Sequence, residues 1–403
     1  MKSAVEIDFY QHISLQMKAF KMCGFWFFIP YPKKSIMFWF GILNRIFLGV
    51  FFFIIPTGGQ LVYVIRLIMS GKAEIQEIAG IINLIFTELS ATLKLLDLRL
   101  RRNLLMEIVK QLNSEEFNCY TESSKRVLEK AIQFSRGLFW GLLISCTIDV
   151  AIHVLVVPGL NKFESLPLKM DLVFFDVNSE PYFKYICFYQ IIYKPMMLLT
   201  FVIHQTLPWA AMCFTISQLD VLIYNIKNMK ELVKARVERR RDENEAFNEV
   251  LKRCVIHHSS IMRFVKTLQA TFGGQFTVTL FLNAGIVCTT AVQIFSIQSP
   301  LKNLTDVSWV LTFLNIFITI LFIDCYFGNI ITVKCEKVSS VVYACPWTNL
   351  SKDLKRNVSI FIARTQQPVI ITAARLVPVS LETFTKVMNW TYKGFAVMNQ
   401  MKK

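Results

Sequence analysis

The chain has 403 residues, of which 54% are hydrophobic and 18% charged, with a net charge of +16 and a pI near 9.4. Soluble globular chains carry about a quarter charged residues and roughly 45–50% apolar ones. A mean hydropathy of +0.45 therefore excludes an ordinary soluble domain, and the 35 Phe residues suit a lipid-facing helix surface better than a water-bounded core.

The first 35 residues mix Lys with acidic residues and contain no signal-peptide core, which predicts a cytosolic N-terminus. Seven apolar segments follow. The first covers 37–65 and contains Arg45; the second, 75–96, is more polar and holds Glu77, Glu88 and Lys94. The third is 137–157 and the fourth 185–216, where Lys194-Pro195 predicts a kink. The fifth, 272–297, contains no Asp, Glu, Lys or Arg. A helix rises 1.5 Å per residue and needs about 20 apolar residues to cross the hydrocarbon, so this stretch suffices. The sixth is 308–333, with Asp324 toward its end, and the seventh, 376–400, is the most polar.

Segments two and seven are weak by hydropathy alone, and the connecting segments supply a second argument. Of the 44 Lys and Arg residues, 31 lie in 1–35, 99–136, 227–266 and 334–375. The alternate segments 66–74, 158–184, 298–307 and 387–403 hold 9. This asymmetry places the basic set in the cytosol and requires segment two to cross. It also accounts for the net positive charge without nucleic acid. The C-terminus is then extracellular if segment seven crosses. Among Asn-x-Ser/Thr sequons only Asn303 falls in an expected outer loop, so it is the glycosylation candidate unless it sits too near the bilayer. The ten Cys are scattered, with no disulfide framework and no metal-site spacing.

The cytosolic parts are expected to be structured. From Phe247, apolar residues recur at Val250, Leu251, Cys254, Val255, Ile261, Met262, Val265 and Leu268, which is helical spacing. Val338, Val341 and Val342, then Leu350, Leu354 and Val358, continue similarly. Such stripes must be buried against each other or against another subunit. Residues 230–245 are dominated by charge and read as a solvated turn.

Enzyme motifs (a Walker loop, GxSxG, HExxH) are absent, and no cofactor or metal is implied. His257-His258 are helical neighbours about 100° apart, which does not make a metal site. Asp149 and His153 share a face of segment three, either as a structural pair or as a polar anchor in a ligand pocket. Segment seven carries Glu382, Lys386, Asn389, Lys393, Asn399 and Gln400, too many polar groups to face lipid all round. Lys386, Asn389, Lys393, Val397, Gln400 and Met401 follow at helical spacing. They describe either a pore-lining wall ending in an apolar constriction or a helix buried in a monomeric bundle.

The run Cys325-Tyr326-Phe327-Gly328-Asn329, then Tyr343-Ala344-Cys345-Pro346-Trp347, Arg364-Thr365-Gln366-Gln367-Pro368 and Pro378-Val379-Ser380-Leu381-Glu382-Thr383-Phe384, resembles insect odorant receptors. The match covers 325–400; upstream it rests on span number, orientation, and Leu166-Pro167 leading to Ser179-Glu180-Pro181-Tyr182. The resemblance implies an all-α membrane protein with seven transmembrane helices, a cytosolic N-terminus and an extracellular C-terminus. Cytosolic helical extensions would form an anchor domain. Residues 1–333 would hold helices one to six with an outer-half ligand pocket, 334–375 the anchor helix region and 376–403 the pore-lining last helix.

The same resemblance implies a ligand-gated, non-selective cation channel in the plasma membrane of olfactory neuron dendrites. This chain would be the tuning subunit of a heterotetramer with a co-receptor, since it lacks that partner's long insertion between segments four and five. Its ligands would be small volatile organic molecules. The family's constriction maps to Val397 and Met401, beside Gln400 and Lys393; Lys393 and Gly394 stand where the family pattern has Ser and Tyr. The outer-half pocket would draw on Ile82, Ile85, Phe86, Ser145, Ile148, Ile152, Tyr189, Ile192, Met196, Phe313 and Phe317. A gustatory-type receptor of the same superfamily and a G-protein-coupled receptor are the alternatives. The Ser-Leu-Glu-Thr-Phe run argues against the first, and the missing Asp-Arg-Tyr and Asn-Pro-x-x-Tyr motifs argue against the second. Internal repeats that would mark a transporter are absent.

Overall fold

The computed structural model describes residues 7–24, 35–71, 74–118, 121–160, 166–172, 177, 179, 182–237, 242–296, 304–348 and 350–401. Nearly all of them are helical. A short 3₁₀ turn, Phe9–His12, leads into α1, Ser14–Met22. Helices α2, Ile36–Gly49, and α3, Ile55–Met69, are joined by a π-helical turn, Val50–Ile54. Pro56 accounts for that turn, because it cannot donate to the carbonyl four residues back. Pro158 does the same after α6, Glu122–Ala151, where a π turn at Ile152–Val156 precedes α7, Val157–Leu160. Between these come α4, Ile75–Leu100, and α5, Arg102–Leu112. The second half contains α8, Tyr182–Lys227, α9, Met229–Val237, and α10, Glu243–Ser296. It continues with α11, Leu304–Tyr343, α12, Lys352–Thr365, and α13, Leu381–Met401. Pro195 and Pro208 both lie within α8, which runs unbroken through them.

Among the described residues, six helices are long and apolar enough to cross a membrane: Ile36–Met69, Ile75–Leu100, Ser124–Val156, Tyr182–Lys227, Glu243–Ile294 and Val307–Tyr343. The polar second segment is one of them. The outer surface of α2 and α3 suits lipid, with Trp39, Phe40, Leu43 and Phe47 on the first and Leu61, Ile65 and Ile68 on the second all exposed. At 1.5 Å per residue, α8, α10 and α11 are roughly 60–80 Å long, about twice the hydrocarbon thickness. Each must therefore run beyond the bilayer, and the apolar stripes expected there are buried. Phe247, Val250, Leu251, Cys254, Ile261, Val265 and Leu268 are inside, and so are Val338, Val342, Leu354 and Val358. Helix α12 packs on α10 and α11, adding Phe361 to that core.

Two local features differ from the sequence reading. Helix starts and ends at 230–245 replace most of the expected turn, since α9 reaches Val237 and α10 begins at Glu243. The last helix begins at Leu381, not 376, because residues Thr372–Ala373 and Val377–Pro378 pair as an antiparallel hairpin. Ala374 and Arg375 both have positive φ, and Leu376 N–H returns to Ala373 O at 3.1 Å, as in a type I′ turn. Gln269 on α10 holds the hairpin with both ends of its amide, donating to Thr372 O at 2.7 Å and accepting from Thr372 N–H at 2.9 Å. Thr332 on α11 donates to Val369 O at 3.0 Å. Asn303 lies outside the described residues.

Gly328 gives the room for this arrangement, since a Cβ there would overlap the Val379 carbonyl. Gly328→Ala is expected to cost about 1–3 kcal/mol through overpacking against backbone that cannot yield, read as earlier melting of detergent-solubilised protein. At the N-terminus His12 is 1% exposed, edge-on to Phe214, and burial pushes its pKa down to about 3 from 6.5. Released from the fold, this segment binds a proton between those values and the docked segment does not, so docking strengthens as pH rises from about 3 to 6.5. Acidification through that window should release 7–24 to limited proteolysis, and His12→Phe should blunt the release.

Candidate functional site

Helices α3, α4, α8 and α11 meet around groups that a membrane interior would not tolerate unpaired. Glu88 of α4 is 1% exposed and accepts from four side chains. These are Thr57 Oγ1 at 3.2 Å, Gln60 Nε2 at 3.0 Å, Tyr193 Oη at 3.3 Å and Lys194 Nζ at 3.3 Å. Nearly two turns further along α4, Lys94 Nζ donates to Gln205 Oε1 at 2.7 Å, and Gln205 Nε2 donates to Asp324 Oδ2 at 3.2 Å. Trp209 Nε1 donates to Asp324 as well. The charges that make segment two look weak are thus the ones that bind it to α3 and α8 and, through Gln205, to α11.

A small apolar cavity of about 70 Å³ lies between α4, α6, α8 and α11. Its wall includes Leu84 and Ala91, Cys146, Val150 and Val154, Met197 and Phe201, and Trp309, Phe313 and Phe317. The aromatic side chains form a ladder, with centroids 5.6 Å apart for Trp309 and Phe313, 4.7 Å for Phe313 and Phe317, and 5.7 Å for Phe201 and Phe317. Glu88, Asp149 and Lys194 are the charged members of the lining. Asp149 is 8% exposed and its Oδ1 finds no hydrogen-bond partner among the described residues. The side chain of His153 lies outside the described ones.

Of the eleven positions expected around a ligand, Phe313 and Phe317 line this cavity. Ile82, Ile85 and Phe86 stand beside it on α4, where Leu84, Thr87 and Glu88 face inward instead. Phe86 packs toward Gly285 of α10. Ser145 and Ile148 are exposed, one residue out of phase with Cys146 and Asp149. Ile152 sits in the π turn. Tyr189 donates to Phe51 O and stacks on Tyr193 with centroids 5.0 Å apart. Ile192 is exposed and Met196 half-buried, flanking Lys194 and Met197. The phase is hidden in the sequence because α6 and α8 are apolar all round, so hydrophobic periodicity does not separate the inner from the lipid face. The ionisable residues inside the spans are the better signal.

A loop closes the bundle near this end. Gln190 of α8 accepts from Leu168 N–H at 2.9 Å and donates to Leu168 O at 2.8 Å, and Asp171 N–H donates to Gly59 O at 3.0 Å. Arg66 pairs with Asp171, and Lys169 reaches Glu77 at 2.6 Å. A larger, open cleft of about 1060 Å³ lies elsewhere, between α4, α10, α12 and the hairpin. Arg101, Lys266, Arg364 and Arg375 stand in its wall, and it exposes backbone and charge, which suits a polar partner better than a buried volatile. His257 Nε2 lies 2.8 Å from Gln218 Oε1 and His258 packs on Phe361, so each ring has a separate neighbour.

In α13 one stripe is packed: Thr383, Val387 and Thr391 are buried against α10 and α11. Glu382, Lys386, Asn389 and Lys393 are exposed on another face, with Glu382 and Lys386 paired at 2.6 Å. The backbone of α13 continues through Val397 and Gln400 to Met401, whose side chains lie outside the described ones.

Three comparisons bear on this arrangement. The family model described as 7tm Odorant receptor matches residues 74–392. Odorant receptor 46a, isoform B, of Drosophila melanogaster is 22% identical over 337 residues, covering 83% of this chain and 85% of that protein. Odorant receptor 85f of the same organism is 30% identical over 134 residues, 33% of each chain. Among solved structures, the insect olfactory receptor OR5 from Machilis hrabei superposes with a TM-score of 0.79, both alone and in complex with eugenol. Identity there is 17% and 15%, and 98% of this chain and 100% of the other are covered. The likeness extends over the whole fold.

Removing Glu88 while leaving Lys194 buried should be expensive. Glu88→Ala is expected to cost about 3–5 kcal/mol, whereas Glu88→Leu with Lys194→Met should cost less than the sum of the two single changes. Melting of the four solubilised variants makes that comparison.

Proposed function

The chain belongs to the insect odorant receptor family, and from that premise we propose that it is the odorant-binding, tuning subunit of an odorant-gated, non-selective cation channel. The observation that supports a channel is α13. Its packed stripe carries Thr383, Val387 and Thr391, while Glu382, Lys386, Asn389 and Lys393 have no cover among the described residues. Such a face cannot rest in hydrocarbon. Several subunits around an axis would give it water, with Val397 and Met401 as the constriction and Gln400 and Lys393 beside it. The co-receptor would supply the remaining subunits of a heterotetramer, and the packed extensions of α10, α11 and α12 would hold it together.

The proposed topology has seven spans, an inner N-terminus, an outer C-terminus and a plasma-membrane location in sensory dendrites. The distribution of 31 basic residues against 9 favours it. The ligand would be a small volatile odorant taken into the cavity lined by Phe313 and Phe317. Binding opens the pore to the extent that the open state binds better. The route runs from α8 and α11 through the hairpin fixed by Gln269 and Thr332, which sets the entry of α13.

Co-expression with the co-receptor is expected to give odorant-evoked cation currents. Cysteines installed singly at 386, 389, 393 and 397 should react with aqueous thiol reagents, and faster during stimulation. Normal surface delivery without current, or no reaction at any of the four sites, would sink the reading.

A further inference from the structure

Three charged side chains line the small cavity, and only two of them satisfy each other. Glu88 and Lys194 are an ion pair, and Glu88 is further saturated by Thr57, Gln60 and Tyr193. Lys194 has three N–H groups; among the described residues it donates to Glu88, with the Tyr193 ring 5.9 Å away. Asp149, on the opposite helix α6, has a buried Oδ1 with no partner among the described residues. A vacant acceptor and a cation with donors to spare thus face one small space, whose other walls are Phe201, Trp309, Phe313 and Phe317. A vacant buried acceptor carries an uncompensated desolvation penalty, which a complementary ligand removes.

We propose that this cavity selects small ligands bearing a hydroxyl group, whose O–H donates to Asp149 and whose oxygen accepts from Lys194. This rests on the odorant-binding reading of the same cavity and adds a chemical class to it. A hydroxyl is the smallest group that is donor and acceptor at one atom. An ether or ester accepts only, and an alkane does neither. The volume of about 70 Å³ sets the size: it admits a short aliphatic alcohol, whose carbon chain lies along the aromatic ladder. A site built around a hydroxyl rejects the isostere lacking it because its own polar groups are left unpaired.

The test uses full-length, detergent-solubilised protein and three probes of matched length, short enough for the cavity: 1-propanol, ethyl methyl ether and propylamine. The readout is the concentration giving half the maximal rise in melting temperature. The alcohol is expected to act at a concentration about tenfold below the ether, the equivalent of one good hydrogen bond. In Asp149→Leu the alcohol should lose that advantage, while the ether's effect persists and shows that the variant is folded. Asp149→Asn, which keeps an acceptor oxygen, should retain most of it. Equal potency of alcohol and ether in the wild-type protein overturns the proposal, and that comparison stands even if the leucine variant does not fold. An advantage that survives Asp149→Leu overturns it as well, and so does a tenfold preference for the amine, which would mark a cation site. Hydroxyl selectivity without current in the co-expressed receptor would sink the channel reading and leave this one standing. Currents with flat selectivity would do the reverse.

Discussion

The structure depends on a carboxylate that has no access to water. Glu88 stands in the middle of α4 and gathers donors from α3 and α8, so three helices are held by one side chain. Apolar helices in a bilayer gain little by touching each other rather than lipid, since acyl chains are as apolar as leucine. Polar groups supply the specificity that burial does not. The Lys94–Gln205–Asp324 chain repeats the device one step along α4 and adds α11. Asn83, Gln293 and Thr289 do the same between α4 and α10. Helix α4 is therefore the hub of the bundle, and its polarity is the means by which it is so.

The long helices turn that rigidity into reach. Helices α8, α10 and α11 run well past the hydrocarbon, and with α12 their apolar stripes carry the same core on beyond it. The chain then returns toward the bundle through the hairpin at 372–378. That hairpin is neither free nor relaxed. Two successive non-glycine residues, Ala374 and Arg375, occupy the left-handed region, at a cost on the order of 1 kcal/mol each. Hydrogen bonds with Gln269, Thr277 and Thr332 offset it, Ala374 N–H donating to Thr277 Oγ1. The close pass of Val379 over Gly328 fixes where α13 begins. Movement of α10 against α11 would be felt directly at the base of the last helix.

How far the sequence alone reaches differs between fold and site, for physical reasons. Five of the spans and the buried stripes beyond them are readable, because few structures besides a spanning or amphipathic helix produce a long apolar run with at most one charge or a stripe at 3.6-residue spacing. The polar segment at 75–96 is recovered through its flanking loops, since Lys and Arg counts carry information that hydropathy lacks. The hairpin escapes the sequence because neither Ala374 nor Arg375 is a residue that announces a left-handed turn. Spacing places the inner wall of the cavity one residue out of phase on α6. Ile148 and Asp149 are neighbouring candidates for the inward position, and only the packing of α6 on α8 decides between them. Asp149, Glu88 and Lys194 each stand out as ionisable groups at membrane depth, yet their convergence on one space is a property of three helices together.

Lys393 is the residue that most resists the proposed channel, and its place on α13 shows how the two can coexist. It is exposed, one helical turn from Asn389 and two from Lys386, whose charge is taken up by Glu382. In water, two unit charges 4 Å apart interact by only about 1 kcal/mol, and at physiological ionic strength the interaction fades beyond about 8 Å. A lysine on a wet pore wall is thus a several-fold impediment to a passing cation, not a barrier, and its four-carbon stem lets the ammonium swing off the axis. In a heterotetramer only the subunits of this type carry it. In the proposed channel the permeation path would then be set by how many such subunits surround the axis, and conductance should depend on subunit ratio.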